Sequence, residues 1–95
     1  MKKPTPNPSV DDTLRARGAR YGPLEVNGHV AQNLKAQFRT TPNWNSLGFD
    51  QQEALDVIAS KIARILTGDS SYSDNWHDIA GYARLVDNRL CGRTD

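Results

Sequence analysis

A chain of 95 residues with 12 Lys and Arg against 11 Asp and Glu, and a mean hydropathy of −0.68, has room for one domain with a thin stability margin. A net charge of +1 argues against a general nucleic-acid binder, which carries a marked basic excess. No apolar run reaches membrane-spanning length, Met1-Lys2-Lys3 leads into prolines rather than a signal-peptide stretch, and the single Cys91 excludes an internal disulfide and a cysteine metal cluster.

These features predict a soluble, cytoplasmic protein. An apolar fraction of 37% is lean for a monomer that builds a core alone, so a homo-oligomer is expected.

Residues 1–8 carry three prolines and read as a disordered or extended tail, leaving 9–92 as the single domain. Ser9 caps a first helix, with Asp11 and Asp12 favouring the positive end of its dipole. That helix runs to about Arg20 and stops at Tyr21-Gly22-Pro23. A second spans roughly Leu24–Thr40, although Asn27-Gly28 weakens its start and allows a beginning near His29. Trp44, Leu47 and Phe49 form an irregular link that closes one end of the core.

The third helix, 50–67, has the clearest signal. Asp50 and Glu53 read as a capping box, Leu55, Ile58, Ile62, Ile65 and Leu66 make an apolar stripe, and Gly68 ends it. A short link forces the fourth helix, 74–90, to return antiparallel, with Trp76, Ile79, Ala80, Ala83, Val86 and Leu90 inward. No segment alternates with period two. The predicted fold is therefore all-α, a bundle of about four helices with the 50–67 and 74–90 hairpin as its core.

Glu53 and Asp56 share one side of the third helix, and Asp78 lies on the fourth. Carboxylates so placed suit a hard divalent cation, Mg²⁺, facing a phosphorylated substrate. The plainer alternative makes Glu53 a capping residue and the others solvated. An antiparallel hairpin also sets the two helix starts apart, so a joint site needs an offset, another helix or a second subunit. Arg17, Arg20 and Tyr21 combine cations with an aromatic, a set suited to phosphate and base contacts; they equally serve to finish the first helix. Lys61 and Arg64 are further candidates for phosphate, or solvated flanks of the stripe. His29 and His77 lack metal-ligand spacing, and Gly81 beside Ala80 and Ala83 suits close helix packing.

Gln52-Glu53-Ala54-Leu55-Asp56 and Asn75-Trp76-His77-Asp78 resemble the MazG-like all-α nucleoside triphosphate pyrophosphohydrolases. Those enzymes carry Glu-Glu-x-x-Glu on one helix and Glu-x-x-Asp on a later one. Glu53 and Asp78 match that pattern, Asp56 is a shortened match, and Gln52 and Asn75 are amides where the family has carboxylates. Arg17 to Gly22, Trp44 to Leu47, Glu53 to Asp56, Lys61 to Ile65 and Asp74 to Tyr82 resemble a phage- and prophage-encoded helical family of nucleotide metabolism.

The resemblance implies a nucleotide-binding helical phage-type protein in the host cytoplasm, with Mg²⁺ held by Glu53, Asp56 and Asp78 if it is a pyrophosphohydrolase. The two amides weaken such a site and favour the rival, a non-catalytic protein that sequesters a host nucleotide signal. A small DNA-binding regulator is the third reading, with charge balance against it.

Overall fold

The computed structural model describes residues 9–93, so the proline-rich tail expected over 1–8 lies outside the described residues. The described chain is all-helical: α1 (Val10–Tyr21), α2 (Leu24–Arg39), α3 (Phe49–Thr67) and α4 (Ser73–Leu90), with a single 3₁₀ turn, Trp44–Ser46. No helix among the described residues is long and apolar enough to cross a membrane.

Local signals set the helix ends. The Ser9 hydroxyl accepts a hydrogen bond from the Asp12 N–H at 3.1 Å and satisfies one orphan donor of α1. Gly22 takes φ 79°, a left-handed conformation that stops α1 and hands the chain to Pro23. The second helix runs unbroken through Asn27-Gly28. At α3 the structure corrects the expected cap: the N-cap is Gly48, whose N–H donates to Gln51 Oε1 at 2.7 Å, so Gln51 takes the place assigned to Glu53.

α3 is the central element, with α2 and α4 packed along it and α1 touching its C-terminal end. No substantial contact joins α2 to α4. Alanines fill the seams: Ala31, Ala54, Ala59 and Ala63 are buried, together with Trp44 and Asn75. Small residues let helix axes approach closely, but each buries little apolar area. Trp44 stacks on Phe38 with centroids 5.9 Å apart and closes one end as expected, while Phe49 is 90% exposed and closes nothing.

The larger apolar residues differ from the sequence reading. Ile58, Ile62, Ile79 and Val86 are half-buried, and Leu55, Trp76, Ala80, Ala83 and Leu90 are exposed. The helical period names an apolar face without saying what covers it. In the single chain, one neighbour on each side of α3 leaves part of the stripe open.

Candidate functional site

The site begins with a backbone clasp between the ends of α1 and α3. The Asp69 N–H donates to Arg20 O at 2.8 Å, and the Thr67 hydroxyl donates to Tyr21 O at 2.7 Å. Two glycines permit this approach. A Cβ on Gly22 would lie 2.2 Å from Thr67 O, and one on Gly68 would lie 2.3 Å from Arg20 O. The clasp sets the last turn of α1 beside the last turn of α3 and the residue that leads into α4.

Three arginines and two tyrosines meet there. The Tyr21 and Tyr72 rings stand edge to face, centroids 6.2 Å apart at 66°. The Arg64 guanidinium lies 4.4 Å from the Tyr21 centroid, Arg17 lies 5.4 Å from the same ring, and Arg20 sits 5.0 Å over Tyr72. Arg17 and Arg64 also line a groove of about 310 Å³ between α1, the start of α2 and α3, with Tyr21, Leu24 and Asn27. The Tyr72 hydroxyl donates to Asp74 at 2.9 Å, and that bond, aided by burial and opposed by Arg20, raises its pKa.

Five of the described cations carry a carboxylate partner; Lys35 and Arg84 carry none, and neither do the three arginines gathered here. Arg39 is paired with Asp56, Lys61 with Asp78, Arg89 with Asp50, Arg93 with Asp87 and Arg15 with Asp12. Among the described residues, no carboxylate lies within 4.0 Å of Arg17, Arg20 or Arg64. Cation–π contacts and the negative ends of the α1 and α3 dipoles hold these guanidiniums together without an acidic partner. The dipole ends and Asp74, bonded to Tyr72, offset part of their positive charge, and the remainder faces no carboxylate partner within 4.0 Å among the described residues.

Of the five binding residues expected from sequence, Arg17, Arg20, Tyr21 and Arg64 come together. Lys61 does not: its ammonium lies 3.0 Å from Asp78, on the seam between α3 and α4. Tyr72 is a member that sequence reasoning missed. Its signal was available in the short 69–72 link, which returns the chain to the end of the bundle where α1 stops.

The three carboxylates assigned to Mg²⁺ are dispersed. Asp56 takes a bidentate contact from Arg39 at 2.7 and 3.0 Å, which lowers its pKa against the opposing effect of burial. Asp78 is held by Lys61, and Glu53 stands on another groove with Asp50, whose carboxylate Arg89 already engages. No group of three His, Cys, Asp or Glu residues able to hold a metal occurs among the described residues.

The two amides have different surroundings. Gln52 donates to Trp44 O at 2.8 Å, while Asn75 is 1% exposed and its Nδ2 has no partner. Within one chain, these residues do not fit a Mg²⁺ site of the pyrophosphohydrolase kind. The physical reason is the one anticipated for an antiparallel hairpin: the start of α3 meets the end of α4, as the Asp50–Arg89 pair records.

Comparison with family models, with characterised proteins and with solved structures gives no match to this chain.

Proposed function

We propose that this chain binds a phosphate-bearing, nucleotide-type small molecule at the Arg17, Arg20, Arg64, Tyr21 and Tyr72 cluster, and holds it without turnover. The observation that carries the reading is the gathering of three guanidiniums, none with a carboxylate partner among the described residues, over two adjoining tyrosines. Guanidiniums in such a set offer planar, multidentate contacts to phosphate oxygens. The clasp fixes the backbone positions that carry them before a ligand arrives, so the ordering left for binding is that of the side chains.

Binding without hydrolysis is supported by the fate of the acidic residues. Asp56 and Asp78 are each held by a cation, and neither adjoins Glu53 at a common point. A phage-type protein of this kind would act by sequestering a host nucleotide, the role that the amides at Gln52 and Asn75 also favour.

Thermal unfolding with ATP, GTP, adenosine and inorganic triphosphate tests this, with and without Mg²⁺ and with product analysis alongside. The nucleotides and triphosphate should raise Tm while adenosine does not, and no pyrophosphate should form. Absence of stabilisation by any phosphate compound would remove the reading, and Mg²⁺-dependent release of pyrophosphate would restore the enzyme in its place.

A further inference from the structure

The groove between α1 and the start of α2 adjoins the arginine cluster, and what it can take rests on the phosphate reading above. Leu14, Arg17, Gly18 and Tyr21 fall at i, i+3, i+4 and i+7, one face of α1, and all four line the groove. Leu24 and Asn27 of α2 line it from the other side. Leu14 is 58% exposed and Leu24 is 82% exposed, so apolar surface lies in water beside two guanidiniums.

Gly18 is inside α1, where glycine weakens a helix. A Cβ there would meet nothing within 4 Å, and its φ is not positive. Neither packing nor backbone conformation within the chain calls for this glycine. Its effect is to keep the groove bare between Leu14 and Tyr21.

Asn27 supplies a polar group. It is half-buried, and its Nδ2 donates to Gly22 O at 3.4 Å and to Tyr21 O at 3.5 Å. Turning the amide over would set Oδ1 against those two carbonyl oxygens, which fixes its orientation. The Asn27 Oδ1 accepts no hydrogen bond among the described residues and is open to solvent.

We propose that this groove seats the heteroaromatic ring of the nucleotide, with Asn27 Oδ1 accepting a hydrogen bond from the ring's exocyclic amino group. The phosphates anchor the ligand on the arginine cluster. The flat ring covers Leu14 and Leu24, and a guanidinium stacks along its face. An acceptor at Asn27 favours the amino group of adenine or cytosine. Hypoxanthine and uracil carry a carbonyl in its place, and two acceptors would then face each other.

Titration of the full chain with ATP, ITP, CTP, UTP and inorganic triphosphate tests the proposal without need of a variant. ATP should bind about three- to tenfold more tightly than ITP, or CTP than UTP, the worth of one hydrogen bond. The pair that shows the preference tells whether the groove takes a purine or a pyrimidine. Gly18→Leu fills the groove and Asn27→Leu removes the acceptor, so each should bring that ratio to about one. Gly81→Leu on α4, where an added Cβ also meets open space, should keep the parent ratio. Leucine suits a helix at all three positions, and circular dichroism checks that each variant is folded. Triphosphate binding with no preference in either pair would overturn the base site and leave the phosphate reading standing. Failure of triphosphate to bind would remove both. A preference that survives Gly18→Leu or Asn27→Leu would overturn the assignment of the ring to this groove.

Discussion

Replacing Gly68 by alanine strikes the clasp where an added Cβ would meet three backbone atoms at once. An added Cβ would stand 2.3 Å from Arg20 O and 2.4 and 2.5 Å from the Tyr21 carbonyl carbon and Cα. All three are backbone atoms, so no side-chain rotation relieves the overlap and the ends of α1 and α3 must separate. Separation breaks the Asp69 N–H bond to Arg20 O and the Thr67 hydroxyl bond to Tyr21 O. Each is worth about 1 kcal/mol, and overpacking adds about 1–3 kcal/mol.

The expected loss is therefore about 3–5 kcal/mol, a large share of the 5–15 kcal/mol that holds a small domain together. Urea unfolding followed by far-ultraviolet circular dichroism measures it. Gly18→Ala and Gly28→Ala are the controls, because a Cβ at either position meets nothing within 4 Å. Both lie inside helices and should gain up to about 1 kcal/mol. A Gly68→Ala cost below about 0.5 kcal/mol, with ligand affinity unchanged, would refute the clasp as the element that assembles the site.

Arg64→Gln should abolish nucleotide-dependent stabilisation while changing apo stability by less than about 1 kcal/mol, since it exchanges a cation–π contact for relief of like-charge repulsion; thermal unfolding with and without ATP reports both. Asp56 has its carboxyl held below the ordinary value by Arg39, so the stability from that pair is fully present above about pH 4 and is lost as pH falls through the lowered value. The Tm gap between the parent chain and Asp56→Asn should accordingly be constant from neutral pH down to about 4 and close below it, and a gap that opens on acidification contradicts the pairing. Mg²⁺ alone should leave Tm unchanged in the parent chain and in Asp78→Asn, whose carboxylate Lys61 already holds; a metal-induced rise lost in the variant would return the acidic residues to one site. Gly81→Ala meets open space in the single chain and should stabilise by up to about 1 kcal/mol; a loss would show a second helix packed on that glycine.

Helix positions were legible because their signals are local. Ser9 caps within three residues, Gly22-Pro23 separates α1 from α2 without help from elsewhere, and Gly68 ends α3 where the apolar stripe stops. The α3 cap shows how such signals compete: Asp50 to Glu53 and Gly48 to Gln51 offer the same spacing, and the chain uses the second. The apolar period of α3 and α4 was equally visible, yet Leu55 and Ala83 remain exposed, because periodicity describes a face and packing partners decide its burial.

Long-range pairings were the least accessible. Arg39 and Asp56 are 17 residues apart, and Arg89 and Asp50 are 39 apart, in a chain with many charges of either sign to choose from. The Arg39–Asp56 pair and the Lys61–Asp78 pair took Asp56, Asp78 and Lys61 away from the roles that spacing suggested. The arginine–tyrosine cluster was partly readable because Arg17, Arg20 and Tyr21 are close in sequence. Its completion by Arg64 and Tyr72 depended on a clasp that only the fold creates.

Direct titration of the parent chain with ATP, beside the Arg17→Gln/Arg64→Gln double variant and at low and high salt, tests the central claim most closely. The cluster predicts saturable binding that weakens as salt screens the guanidiniums and disappears in the double variant, with unfolding curves that remain cooperative in both proteins. Equal affinity in the folded double variant, or binding indifferent to salt, would contradict it.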